Sequence, residues 1–343
     1  MLLVASAVAW DEHTPVLSLL TKWDGYWYVL AAQKGYPSAI PTGTGNAAQS
    51  TLGFFPLFPL LIRATSDATG LGPKSAGLLA GFVAGLLGAV LVWILLERNY
   101  GEAAADRGCM LVLISPGAYV LSMVYSETLL IPLVAGCLLA LQSRRYLLAG
   151  VLAAGVTAVD PIGIAIVIPC AIAAAVAVRD RRQWSALVAP VLAPVGIAAF
   201  FGYLWAHTGT PFAWFIDQRR GWESGRLGTG LWNEILLVRV EHLSEPPYTV
   251  KVVGLAVAVA LVAVFLTTKR PAVFTGYVAA VLVFALLSPI VGLTPRTLLR
   301  AFPLLGVVGA RCSPLTFQII AITFTLVMAA LAAVSFGSLG LAP

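Results

Sequence analysis

The sequence predicts an all-α fold, a polytopic bundle of about ten or eleven membrane helices. Three observations predict it. Of 343 residues, 59% are apolar and only 10% charged, with a mean hydropathy of +0.92, whereas a soluble domain carries about 25% charged residues. The apolar residues gather into runs near 76–96, 108–124, 128–142, 146–159, 162–178, 185–206, 249–267, 272–288, 298–310 and 314–336. The basic residues concentrate in five short connections between those runs. This composition excludes a cytosolic enzyme, a nucleic-acid binder and a disordered scaffold. It leaves one integral-membrane domain over residues 1–343.

The elements follow in order. Residues 1–10 are apolar but too short to span, which points to an incomplete first helix or a start codon placed too far downstream. In the segment 11–75, Val16, Leu19, Leu20, Trp23, Trp27 and Leu30 recur at helical spacing, the pattern of a helix lying in the membrane interface. Phe54-Phe55-Pro56-Leu57-Phe58-Pro59 is too rich in proline for one regular helix and reads as a re-entrant turn with aromatics at headgroup depth. The runs from 76 onward are rich in Ala and Gly, residues that let membrane helices approach closely. Several are shorter than 20 residues, so their ends are expected to reach into flanking polar residues.

Orientation comes from the charges. Arg98 and Arg107, Arg144 and Arg145, Arg179 with Arg181 and Arg182, Lys269 and Arg270, and Arg311 fall on one side when spans are counted. By the positive-inside rule that side is the cytoplasm. The net charge of +6 is therefore mainly a topology signal. The opposite side receives two long segments, 11–75 and 207–248, and tight turns near 125–127, 160–161 and 288–297. Cys109, Cys137, Cys170 and Cys312 lie in or beside apolar runs and read as small hydrophobes. His13, His207 and His242 are scattered, and no metal site is expected.

The ionisable residues on the outer face are the candidates for chemistry. Asp24 lies about 100° round a helix from Trp23 and flanks its apolar stripe. Glu127 and Asp160 stand where Ser126-Glu127 and Asp160-Pro161 open helices, so helix capping accounts for both as well as chemistry does. Arg296 and Arg300 are one helical turn apart, placed to snorkel to headgroups or to grip a phosphate. The second outer segment carries Gln218, Arg219, Arg220, Trp222, Glu223, Arg226 and Trp232, residue types that stack on sugars and hold phosphates.

Taken together, these outer motifs resemble the PIG-V-like mannosyltransferases, relatives of the second GPI mannosyltransferase in the GT-C class of polytopic glycosyltransferases. The matching strings are Trp23-Asp24-Gly25-x-Trp27-Tyr28 with Gly35-Tyr36, then Phe54-Phe55-Pro56-Leu57-Phe58-Pro59. Ser115-Pro116 with Tyr125-Ser126-Glu127 follows, then Gly209-Thr210-Pro211 leading to Gln218, and last Pro295-Arg296 with Ala301-Phe302-Pro303. They keep the family's order over most of the chain. Two positions depart from the family pattern: Asp160 stands where a basic residue is common, and Thr297 where tyrosine usually follows the arginine.

The resemblance implies a GT-C-like fold, a polyprenyl-phosphate-linked donor, typically of mannose, and transfer on the non-cytoplasmic face of the plasma membrane. It implies an acidic catalytic residue in the first outer loop, a position held by Asp24. On that basis Asp24 is the expected base and Glu127 orients the acceptor or an arginine. Arg296, Arg300 and Arg219 meet the donor phosphate, while Trp23, Tyr125, Asp160, Gln218 and Trp222 shape the sugar site. No cofactor is required, and a divalent cation is compatible with the reaction without being demanded. The acceptor is left open among a glycolipid, a polysaccharide and a protein. A transporter or flippase, a scaffold and an inactive homologue remain alternatives. Against transport stands the gathering of ionisable residues at one membrane face, since transporters place their sites near the midplane.

Overall fold

The computed structural model describes residues 1–222, 246–287 and 294–337, and every regular element among them is helical. Seventeen α-helices are used below. They are α1 (Leu2–Asp11), α2 (Val16–Leu20), α3 (Asp24–Lys34), α4 (Leu57–Thr69), α5 (Pro73–Tyr100) and α6 (Glu102–Leu113). Next come α7 (Glu127–Gln142), α8 (Tyr146–Val159), α9 (Val167–Arg181), α10 (Val188–Leu192), α11 (Val195–Thr208) and α12 (Ala213–Gly221). The last are α13 (Pro246–Thr267), α14 (Ala272–Leu287), α15 (Pro295–Arg300), α16 (Phe302–Arg311) and α17 (Pro314–Phe336). The chain divides into two compact units. One draws on Met1–Leu20, Leu86–Ser122 and Arg226–Pro343, the other on Thr21–Gly85 and Met123–Gly225.

Among the described residues, four helical stretches are long and apolar enough to cross a membrane, or five if the bent pair Glu102–Leu113 and Pro116–Ser122 is one span: Pro73–Tyr100, Pro161–Arg181, Trp184–Thr208 and Pro314–Phe336. Shorter apolar helices accompany them, α7 and α8 among them. The expectation that short runs extend into polar flanks fails for α8, and α7 gains only Glu127. α7 ends at Gln142 and α8 at Val159, giving lengths of about 24 and 21 Å. The run 108–124 does not form one straight span either. It bends by 76° between Glu102–Leu113 and Pro116–Ser122, because Pro116 lacks the N–H that would continue the helix. Likewise the run 298–310 is split at Ala301 into α15 and α16.

Local chemistry explains the ends. Ser313 caps α17 by accepting from Thr316 N–H, and Pro314 sits in the first turn where no donor is missed. α4 and α11 end on Gly70 and Gly209 in the left-handed region (φ 73° and 79°). α9 ends on Arg182 in the same conformation. The basic connections are structural as well as charged. Arg270 Nη1 donates to the carbonyls of Phe265 and Thr268 and so closes the end of α13, while Arg107 reaches Ala310 O beside Arg311.

In the first unit α6 and α16 pack through glycines. A Cβ on Gly108 would stand 2.5 Å from Gly306 O. A Cβ on Gly117, just after Ser115-Pro116, would collide with Pro295 O and with Arg296 N at 2.7 Å. In the second unit α7, α8, α9 and α11 pack around small residues, and the Cys137 and Cys170 sulfurs lie 3.9 Å apart as free thiols.

Candidate active site

The second unit builds its site from the first turn of α3. The continuous helix expected from Val16 to Leu30 is not formed. It breaks at 21–23, and α3 starts at Asp24. Trp23 carries φ 58°, a left-handed value that a bulky side chain adopts only when its surroundings impose it, at a cost of about 1–3 kcal/mol. Asp24 thus sits in the first turn of a helix, where the free N–H groups favour its negative charge. It is half-buried.

Two hydrogen bonds fix that turn. Asp24 N–H donates to Tyr125 Oη at 3.2 Å, and Tyr28 Oη donates to Ser126 Oγ at 2.8 Å. The Trp23-Asp24-Gly25 and Tyr125-Ser126-Glu127 strings, a hundred residues apart, therefore meet. Tyr125, Ser126 and Glu127 are wholly buried. Ser126 does not cap α7 with its side chain, so the capping account fails there; its hydroxyl serves Tyr28. For Asp160 the capping account holds: Oδ1 accepts from Ile162 N–H at 3.0 Å at the start of the Pro161–Ile166 turn. Asp160 is nonetheless almost entirely buried.

The Phe-Phe-Pro string is not anchored in headgroups. Phe54, Phe55 and Phe58 are buried inside the protein. Phe54 and Phe58 pack edge-on against Tyr28 with centroids 5.1 and 5.2 Å away, and Phe54 also stacks on Trp27 at 6.0 Å. Trp222 closes this cluster edge-on to Trp27 and Phe54, at 5.6 and 5.7 Å. On α12, Gln218 is buried and its amide reaches Gly53 O at 3.4 Å; Trp214 Nε1 donates to the same carbonyl at 3.2 Å. Arg219, by contrast, points outward and is exposed. Glu223, Arg226, Trp232 and His242 lie outside the described residues.

One acid was missed by reading the sequence. Asp217 is fully buried and accepts a 2.5 Å hydrogen bond from Ser50 Oγ, which in turn accepts from Leu52 N–H. Its Oδ2 and Trp222 Nε1 have no hydrogen-bond partner and would stand 2.9 and 3.2 Å from a Cβ on Gly53. Burial pushes the carboxyl up from 3.8 to about 6, against the downward pull of Ser50 and its other neighbours. The available signal was a carboxylate flanked by Trp214, Phe215 and Ile216, an unusual setting for a solvated charge.

Arg296 and Arg300 belong to the other unit. They share α15, as their spacing predicted. Arg300 is buried at 6% exposure, and its carbonyl accepts from Tyr277 Oη. It therefore does not snorkel to headgroups. Of the candidate residues, Asp24, Glu127, Tyr125, Asp160, Gln218, Trp222, Trp23 and Arg219 lie in one unit and the two α15 arginines in the other.

No protein-family model matches the sequence, and no curated protein matches it. Solved structures do. ArnT from Cupriavidus metallidurans bound to undecaprenyl phosphate superposes with a TM-score of 0.56 at 19% identity, covering 88% of this chain and 57% of that one. Its apo structure gives 0.54 at 19% identity over 86% and 56%. The Archaeoglobus fulgidus oligosaccharyltransferase gives 0.49 at 13% identity. The chain spans a little over half the length of the ArnT structures, and the likeness is one of fold. The expected all-α, GT-C-like fold is the fold observed, with four or five of the expected ten or eleven membrane helices long and apolar enough to span among the described residues.

Proposed function

We propose that this chain is a membrane glycosyltransferase that moves a hexose from a polyprenyl-phosphate donor to an acceptor hydroxyl on the non-cytoplasmic face of the plasma membrane. Mannose is the sugar implied by the PIG-V-like motif string. The observation that carries the reading is the meeting of the Asp24 turn with Tyr125 and Ser126. It draws two separated motifs into one site on a GT-C-like fold.

The reaction is a single displacement with inversion. The acceptor oxygen attacks the anomeric carbon while Asp24 takes its proton, and the bond to the lipid phosphate breaks. Fixed cations then stabilise the charge that develops on the departing phosphate. Arg296, Arg300 and Arg219 are assigned that task, and Glu127 orients the acceptor. Gln218, Trp222, Trp23 and Asp160 shape the sugar site, with Tyr125 holding the base. The acceptor is a glycolipid, polysaccharide or protein hydroxyl.

The test is Asp24→Asn in membranes supplied with labelled polyprenyl-phosphate mannose. Transfer is expected to vanish while the protein inserts and folds normally. Turnover at the wild-type rate would remove Asp24 from the chemistry.

A further inference from the structure

The polar cluster around Gly53 leaves one acceptor and one donor over. Ser50 Oγ takes Asp217 Oδ1, while Gln218 and Trp214 both direct an N–H to Gly53 O. Asp217 Oδ2 and Trp222 Nε1 are buried with no hydrogen-bond partner among the described residues. Native proteins pair nearly all such atoms, so each one calls for a reason.

Geometry supplies it. A Cβ on Gly53 would stand 2.9 Å from Asp217 Oδ2 and 3.2 Å from Trp222 Nε1. The two atoms are therefore neighbours across the bare face of one glycine. An ionised carboxylate only accepts and an indole N–H only donates, so the pair is complementary when Asp217 is charged. Protonation puts a hydrogen on the carboxyl group and takes that acceptor away. Burial raises the Asp217 carboxyl to about 6, and against that rise the Ser50 hydroxyl and then the Trp222 N–H pull it down.

The surroundings bring few competing charges. The two turns packed on α12, Gly45–Ala48 and Thr51–Gly53, hold no ionisable residue. α11 brings Tyr203 and His207, whose rings stack at 5.3 Å, and His207 Nε2 meets Tyr36 O at 2.9 Å. On α12 itself Arg219 and Arg220 are exposed. α3, which meets Trp222 through Trp27, carries Asp24, Tyr26, Tyr28 and Lys34.

We infer that Asp217 is a positioning residue that acts through Trp222. Ionised, it accepts the indole N–H on Oδ2 and holds the ring edge-on to Trp27 and Phe54; protonated from water, it releases the ring. The latch itself needs no substrate. Its effect on transfer rests on the proposed place of Trp222 in the sugar site.

Two measurements on the full chain in nanodiscs test this. The first is ¹⁹F NMR of protein labelled with 5-fluorotryptophan, with Trp222→Phe identifying the Trp222 signal. That signal is expected to move between pH 5 and 7 with a midpoint near 6, to stay still in Asp217→Asn, and to titrate normally in His207→Gln. A Trp222 signal that ignores pH in the wild type overturns the inference, as does an unchanged titration in Asp217→Asn or its loss in His207→Gln. The second is transfer kinetics with polyprenyl-phosphate mannose at pH 7.5. Asp217→Asn and Trp222→Phe should each raise the donor KM about tenfold with kcat little changed, and the double variant should be no worse than either. Multiplying effects would mean that Asp217 does not act through Trp222. An intact Trp222 titration in a protein that transfers no sugar would defeat the proposed function and spare the latch.

Discussion

Tyr125 is wholly buried, and its hydroxyl accepts from the Asp24 backbone N–H. That bond holds the strained Trp23–Asp24 link in place, and with it the direction of the Asp24 carboxylate. Tyr125→Phe removes the acceptor and keeps the ring. It is expected to lower kcat about 10–100-fold, the penalty of a small misplacement of a reacting group, with the donor KM nearly unchanged. A KM effect alone would return Tyr125 to the sugar pocket. Asp217 makes a different prediction. Its folded pKa, about 6, lies above the unfolded value of 3.8, so ionisation opposes folding. Stability is greatest below pH 4, falls between pH 4 and 6, and levels above. The total loss is on the order of 2–3 kcal/mol. Asp217→Asn keeps the Ser50 bond and cannot ionise. Its apparent Tm in detergent should lack that slope, and a slope equal to the wild type's would assign the titration elsewhere.

Helices were readable from the chain because composition and Pro/Gly punctuation act locally. The run 272–288 became Ala272–Leu287 and the run 314–336 became Pro314–Phe336 with its Ser313 cap. Breaks set by tertiary demand were not readable. Nothing in the spacing of Val16, Leu19, Trp23 and Trp27 announces an interruption, and the Asp24 N–H at that break bonds Tyr125, a hundred residues on. Nor does hydropathy show that α15 and α16 part at Ala301. The contact of Gly117 with the backbone at Pro295 belongs to this level. It joins the Ser115-Pro116 string to the Pro295-Arg296 string, and only a residue without a Cβ allows it. Gly117→Ala should cost about 1–3 kcal/mol through forced backbone displacement, read as a lower detergent melting temperature. An unchanged melting point would mean that the two segments separate freely.

Across the whole molecule, the structure joins most of the motif strings within one unit. What they could not mark was Asp217, whose partner Ser50 lies far away in sequence. That pair depends on side chains brought together by folding. The chain order of these pairs has a consequence in time. Ser50 meets Asp217 across 167 residues, and Asp24 meets Tyr125 across 101. At a synthesis rate of roughly 5–20 residues per second, Ser50 waits about 8–33 s for its acid to be made. Through that interval the segment that holds Ser50 lacks its folded partner. A chain released before α12 is complete lacks the Ser50–Asp217 bond that ties the 50–53 turn to α12.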